Sequence, residues 1–284
     1  MITHNYRYFN NRTEGEKTIM EKCIRCMSPI RYFGGKSSLA PTLMELLPSH
    51  NRYIEVFGGG GHLISQKEPS IEEVYNDIDS DLINFLNQVQ TNGEELTEAL
   101  ADLPTSRHLF ELWKNEEFPD NELERAVRWF YLIRQRIHAS NATLKSGWRA
   151  GKHKNLAADY QHAVARIPAF SKRLKNVEIT NQDFREVIAK YDSPTSVFFI
   201  DPPYVGKEHY YKGNMQYQTH VELAQMLNNI EGKAMVTYYD HPLINELYAG
   251  WNRIEVETFV GSSTVKQGEE RRKEKELILM NYDI

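Results

Sequence analysis

From residue 39 onward the apolar positions follow two periods in turn. Short apolar runs recur at 52–57, 73–76, 177–180, 197–200, 234–238, 254–260 and 277–280. Their length and β-branched and aromatic content predict strands. Between them, apolar residues return every three to four positions, which predicts helices at 39–47, 62–67, 79–89, 94–118, 121–138, 160–174, 219–229 and 242–248. Leu82, Ile83, Leu86 and Val89 illustrate the helical stripe. Strands alternating with helices predict an α/β fold with a mainly parallel sheet. Val197-Phe198-Phe199-Ile200 is apolar at every position, as a strand covered on both faces should be.

The alternation has one interruption. Between the second strand and the 177–180 strand the pattern is helical and polar, with a break at Pro119-Asp120, and then the α/β pattern resumes. The division expected is an extension at 1–27, a main domain made of 28–90 and 156–284, and a helical insertion at 91–155. Residues 1–26 are polar with no clear period, and Met20 and Met27 are alternative starts. No internal repeat is present.

A chain of 284 residues suits one large α/β domain carrying an insertion. No apolar run approaches the ~20 residues of a membrane span, and the first residues have no signal-peptide pattern. A cytoplasmic protein is expected, with no membrane contact. The two cysteines, Cys23 and Cys26, are too few for a structural zinc of about four ligands. They read as reduced thiols, and no metal is expected.

Candidate chemistry begins at Asp201-Pro202-Pro203-Tyr204. Neither proline can donate a ladder hydrogen bond, so the strand must stop there, leaving Asp201 at the carboxyl end of a central strand. A carboxylate beside a rigidly aimed carbonyl can accept both hydrogens of an exocyclic amine, and an aromatic ring can stack on the base that carries it. The plainer alternative is a proline-stiffened turn. Two glycine turns precede this motif. In Gly34-Gly35-Lys36-Ser37 a phosphate loop would need glycine at position 30, which is isoleucine. What remains is a close-approach turn, a lysine and a helix start. Glu55-Val56-Phe57 runs into Gly58-Gly59-Gly60-Gly61 and a helix, the layout of a nucleotide-cofactor loop. Glu55 would repel phosphates and suit a ligand bearing an amine or a cation. Asp77, at the end of the next strand, is where ribose hydroxyls are bound, and Asp79 or Ser80 caps the following helix.

Net charge is −5, which argues against an overall cationic coat. Locally, Arg125, Arg128, Arg134, Arg136, Lys145, Arg149, Lys152 and Lys154 occur with no acidic residue among them, interleaved with Asn141 and Trp148. A solvated helix face is one reading. The continuation of the run through 140–155 favours nucleic-acid contact.

In these motifs the chain resembles the Dam-type DNA adenine-N6 methyltransferases. The matching pieces are 32–36, 55–60, 76–83, Asp183-Phe184, Asp201-Pro202-Pro203-Tyr204 and the tail 271–277, in the family's order over roughly 28–284. The resemblance implies a Rossmann-like seven-stranded methyltransferase sheet with a helical DNA-recognition insertion. It implies S-adenosylmethionine as cofactor and methyl transfer to N6 of an adenine flipped out of double-stranded DNA. Tyr32, Gly34, Gly35 and Lys36 would line the cofactor pocket. Glu55, Phe57, Gly58 and Gly60 would form its methionine side. Asp77 would take the ribose, Ile78 the adenine face, and Asp183 and Phe184 the adenine amine and ring. Asp201 and the Pro202 carbonyl would hold the target amine, with Pro203 fixing the turn and Tyr204 stacking on the base. Competing readings are methylation of cytosine N4, an RNA base or a protein glutamine, and a non-catalytic nucleic-acid-binding module.

Overall fold

The computed structural model describes residues 26–137, 146–151, 155–213, 215–259 and 273–284. Within them, seven strands form one sheet: β1 (Arg52–Glu55), β2 (Glu72–Asn76), β3 (Val177–Thr180), β4 (Ser196–Ile200), β5 (Lys233–Tyr239), β6 (Asn252–Phe259) and β7 (Lys273–Met280). Their order is β3-β2-β1-β4-β5-β7-β6. All neighbours are parallel except β7, which runs antiparallel to both β5 and β6. This is the expected Rossmann-like methyltransferase sheet.

The helices are α1 (Ala40–Leu46), α2 (His62–Gln66), α3 (Ser80–Thr91), α4 (Gly93–Ala101), α5 (Arg107–Asn115), α6 (Glu122–Gln135), α7 (Leu156–Val164), α8 (Ile167–Leu174), α9 (Phe184–Tyr191), α10 (Tyr217–Leu227) and α11 (Pro242–Leu247). Two expected long helices are each two. The 94–118 stretch breaks at Leu103-Pro104, and Ser106 restarts it by accepting from Leu109 N–H. The 160–174 stretch breaks at 165–166, and Pro168 sits in the first turn of α8, where its missing N–H costs nothing. Asp79, Asn121, Asn155 and Asp183 cap the starts of α3, α6, α7 and α9. Each such cap contributes about 1 kcal/mol.

Strand alternation sorts the core into two layers. Tyr53, Tyr75, Val197, Phe199, Met235 and Ile278 face one side, against α1, α3 and α8. Ile54, Val74, Phe198, Ile200, Val236 and Leu277 face the other, against α9, α10 and α11. The insertion brings Leu96, Leu100, Phe110, Trp129, Phe130 and Ile133 into the first cluster. It shares the sheet's core instead of building its own. Among the described residues no helix is long and apolar enough to cross a membrane.

Candidate active site

The chain runs from β1 outward to β2 and β3, then returns to β4 on β1's other side. At such a reversal the connections diverge and leave a crevice at the strands' carboxyl ends. The loops after β1, β2 and β4 line a cleft there, with Tyr32, Glu55, Phe57, Asp77, Ile78, Asp201 and Lys212 in its wall.

Close approach of backbone builds the cleft floor. A Cβ on Gly58 would lie 2.1 Å from a ring carbon of Tyr75, so only glycine fits. Gly59 and Gly61 take φ of 49° and 61°, the left-handed region that glycine enters freely. His62 packs between the two glycine turns. A Cβ on either Gly35 or Gly60 would meet its Nε2 at 2.6 Å. Burial pulls the His62 imidazole down to about 4, so it is neutral at physiological pH.

Two acidic residues here differ from expectation. Asp77 is engaged by backbone donors as well as lining the cleft. Its Oδ2 accepts from Gly59 N–H at 2.8 Å and its Oδ1 from Asp79 N–H at 2.9 Å, which ties the glycine turn to the start of α3. Burial, against those two hydrogen bonds, pushes it up to about 6. Glu55 is 1% exposed. Its Oε1 accepts from Tyr53 OH at 2.9 Å and from Ile64 N–H at 2.6 Å, and burial pushes it up to about 8. It fastens the first turn of α2 while one edge faces the cleft. Ile78, 47% exposed, is available as an apolar face.

Asp201 stands at the end of β4 inside a buried ionic cluster. Its Oδ1 receives Lys36 Nζ at 2.8 Å, Thr237 Oγ1 at 2.7 Å and Tyr204 OH at 3.0 Å. No described group donates to Oδ2. Lys36 also reaches Glu276 Oε1 at 3.2 Å, and Tyr204 OH lies 2.7 Å from the same oxygen. Tyr204 has one hydroxyl proton, so it donates to one carboxylate at a time. Burial raises Asp201 while Lys36 lowers it, and the net direction is upward. Tyr204 lines the groove but is largely covered. Its ring is 7% exposed, stands edge-on to Tyr239 at 4.7 Å and carries Lys36 Nζ 5.0 Å from its centroid.

Beyond Asp201 and Lys36 lies a groove of about 610 Å³, lined by Tyr32, Phe33, Tyr204, Tyr210, Tyr211 and Tyr239 among others. Tyr211 faces both groove and cleft, so the 210–212 segment is a wall common to the two. The wall is fastened at both ends. Phe33 stacks on Tyr210 at 4.5 Å. Lys212 pairs with Asp79 at 2.7 Å and Asp81 at 2.6 Å, and Arg125 joins Asp81 at 2.6 Å.

Asp183 and Phe184 are not brought into the cleft wall. Asp183 caps α9 and pairs with Arg185 at 2.9 Å, and Arg185 also pairs with Glu222. Phe184 packs behind Phe57, ring centroids 5.7 Å apart. Its adenine-ring role would be indirect.

The arginine-rich stretch is corrected most. Arg128 is 7% exposed and donates to the carbonyls of Glu117 and Trp113 and to Glu116. Arg134 and Arg149 both bind Asp159 Oδ2, at 2.9 and 2.5 Å. Arg125 is held by Asp81. Arg136 is half-buried beside an isolated bridge to Trp148. Four of these arginines are drawn onto acidic partners outside the stretch, two of them sharing Asp159, so the described part of the run is not an open cationic face. Asn141, Lys145, Lys152 and Lys154 lie outside the described residues, as do Cys23 and residues 260–272.

Sequence reading missed Thr237, Glu276, Lys212 and Tyr211. A signal existed for two of them. Thr237 interrupts the apolar run of β5, and Glu276 stands just before the apolar end of β7. A polar group inside a covered strand needs a partner.

The chain matches the family model described as D12 class N6 adenine-specific DNA methyltransferase over residues 32–261. It is 26% identical over 274 residues to the type II methyltransferase M1.LlaDCHI of Lactococcus lactis subsp. cremoris, covering 89% of this chain and 94% of that one. It is 24% identical over 290 residues to the type II methyltransferase M.MjaIII of Methanocaldococcus jannaschii, covering 89% and 98%. It is 24% identical over 236 residues to the DNA adenine methylase of Salmonella typhimurium, covering 77% and 83%.

Proposed function

The chain belongs to the D12 class of N6 adenine-specific DNA methyltransferases, and from that premise we propose how the residues around Asp201 carry the reaction. The cleft is assigned to S-adenosylmethionine and the groove to the target adenine. S-adenosylmethionine, when bound, supplies a methyl group on a sulfonium, an electrophile that needs no metal.

The cleft's charge supports this assignment. Its described cations are Lys36 and Lys212, and each is already shared between two carboxylates. His62 is neutral. Burial pushes Asp77, Glu55 and Asp201 toward their neutral forms, and a ligand that brings positive charge would favour their ionised forms, whereas a polyphosphate would oppose them. The glycine floor leaves backbone exposed to a flat, close-fitting ligand. Ile78 offers the adenine ring an apolar face.

The target amine inside a duplex is out of reach, so the base enters the groove flipped out. Asp201 Oδ2 and the Pro202 carbonyl accept its two hydrogens. This turns the nitrogen's lone pair toward the cleft and stabilises the positive charge that grows on it. Pro202 and Pro203 keep that carbonyl and carboxylate from drifting apart. The aromatic surface of the groove, with Tyr210, Tyr211 and Tyr239, is the stacking surface for the base, in place of Tyr204. The helical insertion, 91–155, together with residues 260–272, contacts the duplex, and the phosphate contacts are carried by residues other than the paired arginines.

The observation that carries this reading is the asymmetry of Asp201. One carboxylate oxygen is held by three donors, and the other is left for a ligand in the cleft wall, while Lys36, Tyr204 and Glu276 of the same cluster line the groove. The test is Asp201→Ala, expressed in a host lacking DNA methylation, followed by modified-base sequencing. Wild-type enzyme should leave N6-methyladenine at one recurring motif. The variant should leave none while purified protein still binds DNA. Retained methylation in the variant would overturn the assignment.

A further inference from the structure

We propose that Glu276 is a positioning residue that sets the acceptor strength of Asp201 by competing with it for Lys36. The proposal rests on the role given to Asp201 above.

Glu276 reaches the site from β7, two strands away from β4, and is 6% exposed. It meets Lys36 at 3.2 Å against 2.8 Å for Asp201, so one ammonium serves two carboxylates. With both carboxylates ionised, the cluster would carry one uncompensated negative charge. A structural role alone would not need that excess, because a buried pair is least costly when its charges balance. Tyr204 OH lies between the same two carboxylates and can donate to either. Both donors shared by the pair are therefore drawn partly away from Asp201. Its Oδ1 is held in place without being fully neutralised, and its free Oδ2 keeps the charge with which it grips an amine. Without Glu276, Lys36 would belong to Asp201 alone, and Oδ2 would be a weaker acceptor.

The other groups facing Asp201 do not blur this balance. Thr237 from β5 does not titrate. Tyr204, Tyr211, Tyr238 and Tyr239 are all pushed up by burial first, and stay neutral through the acid and neutral range. Among the described residues Lys36 and Glu276 are the leading charges acting on Asp201, Lys36 lowering it and Glu276 raising it. Removing the Glu276 charge should thus ionise Asp201 at lower pH while making it a poorer hydrogen-bond acceptor. A loss of packing would not give that pair of effects.

The experiment is single-turnover methyl transfer at saturating S-adenosylmethionine and cognate duplex, from pH 5 to 9, for wild type, Glu276→Gln and Glu276→Asp. Gln keeps the size and an acceptor oxygen for Lys36 and Tyr204. The expected result for Glu276→Gln is a plateau rate roughly tenfold lower, with the acid limb moved down by about one pH unit. Dissociation constants for cofactor and DNA should stay within about twofold, and Glu276→Asp should return the limb toward wild type. A profile that is only scaled down, or superimposes on wild type, overturns the proposal. If Glu276→Gln does not fold, carboxylate-labelled NMR of the wild-type protein decides. The Asp201 signal should titrate in two steps, as a coupled group does. A single-step Asp201 titration would overturn it. The two readings fail separately. Turnover by Asp201→Ala removes the site assignment, whereas an inactive Asp201→Ala beside an unmoved Glu276→Gln profile removes only the role of Glu276.

Discussion

Two charge clusters are near mirror images. At Asp201, two carboxylates share one ammonium. At Asp159, the guanidiniums of Arg134 and Arg149 share one carboxylate, and Arg31 adds a third positive charge nearby. Arg31 is spent on the carbonyls of Arg136 and Ile137, at 2.6 and 2.8 Å. Burial and the two neighbouring guanidiniums pull it down to about 10. The negative cluster leaves one Asp201 oxygen without a described donor at the cleft. The positive cluster turns its terminal guanidinium nitrogens to carbonyls and a shared carboxylate, with Nε of Arg134 and of Arg149 enclosed away from any cavity, and so joins the loop before α1, the end of α6 and the start of α7. A run of charge in sequence therefore says little until its partners are known. What marks a working cluster is an unspent atom at a cavity.

The comparison breaks most easily by removing each shared ion. Lys36→Met leaves two carboxylates together, and Asp159→Asn leaves the arginines without a counter-charge. Each should cost about 3–5 kcal/mol in urea unfolding. Folded Asp159→Asn should keep its turnover per active molecule, whereas Lys36→Met should lose it. Equal loss of turnover in both would dissolve the distinction. A smaller effect is expected at Arg128. Arg128→Met should lose about 2–3 kcal/mol of stability, while the slope of log DNA affinity against log salt stays unchanged. A slope shallower by about 0.9 would return that arginine to the phosphate contacts. The smallest effect concerns pH. Asp77 and Glu55 are raised to about 6 and about 8, so both are largely protonated below that window. A cationic ligand favours their ionised forms, so its binding releases protons and its affinity rises with pH, up to about 6 through Asp77 and up to about 8 through Glu55. Calorimetric titration with S-adenosylmethionine in buffers of different ionisation enthalpy reads the proton release directly. Affinity that falls over that range would mean the cation sits away from these carboxyls.

The fold was legible because its signals are local. Strand runs such as Val197-Phe198-Phe199-Ile200 and caps such as Asp79 declare themselves within a few residues. The helix breaks at Pro104 and before Pro168 are equally local, but a continuous apolar stripe hid them. The site was legible only where one contiguous motif builds it. Asp201 could be singled out from its own tetrapeptide. Thr237 lies 36 residues further on, and Glu276 lies 72 beyond Tyr204, so no spacing rule reaches either. The arginines misled for the same reason, since Asp81 stands 44 residues before Arg125. Asp77 was correctly placed at a strand end, but its two backbone donors depend on how the Gly59 turn folds back over β2.

The wall at 210–212 has a consequence for how the two molecules bind. Tyr211 touches the space on both sides, so an occupant of either pocket becomes part of the other's surroundings. Any factor by which a filled cleft changes affinity for DNA must equal the factor by which bound DNA changes affinity in the cleft. Cofactor and DNA are then each other's effectors, and the order in which they arrive alters the route but never the total.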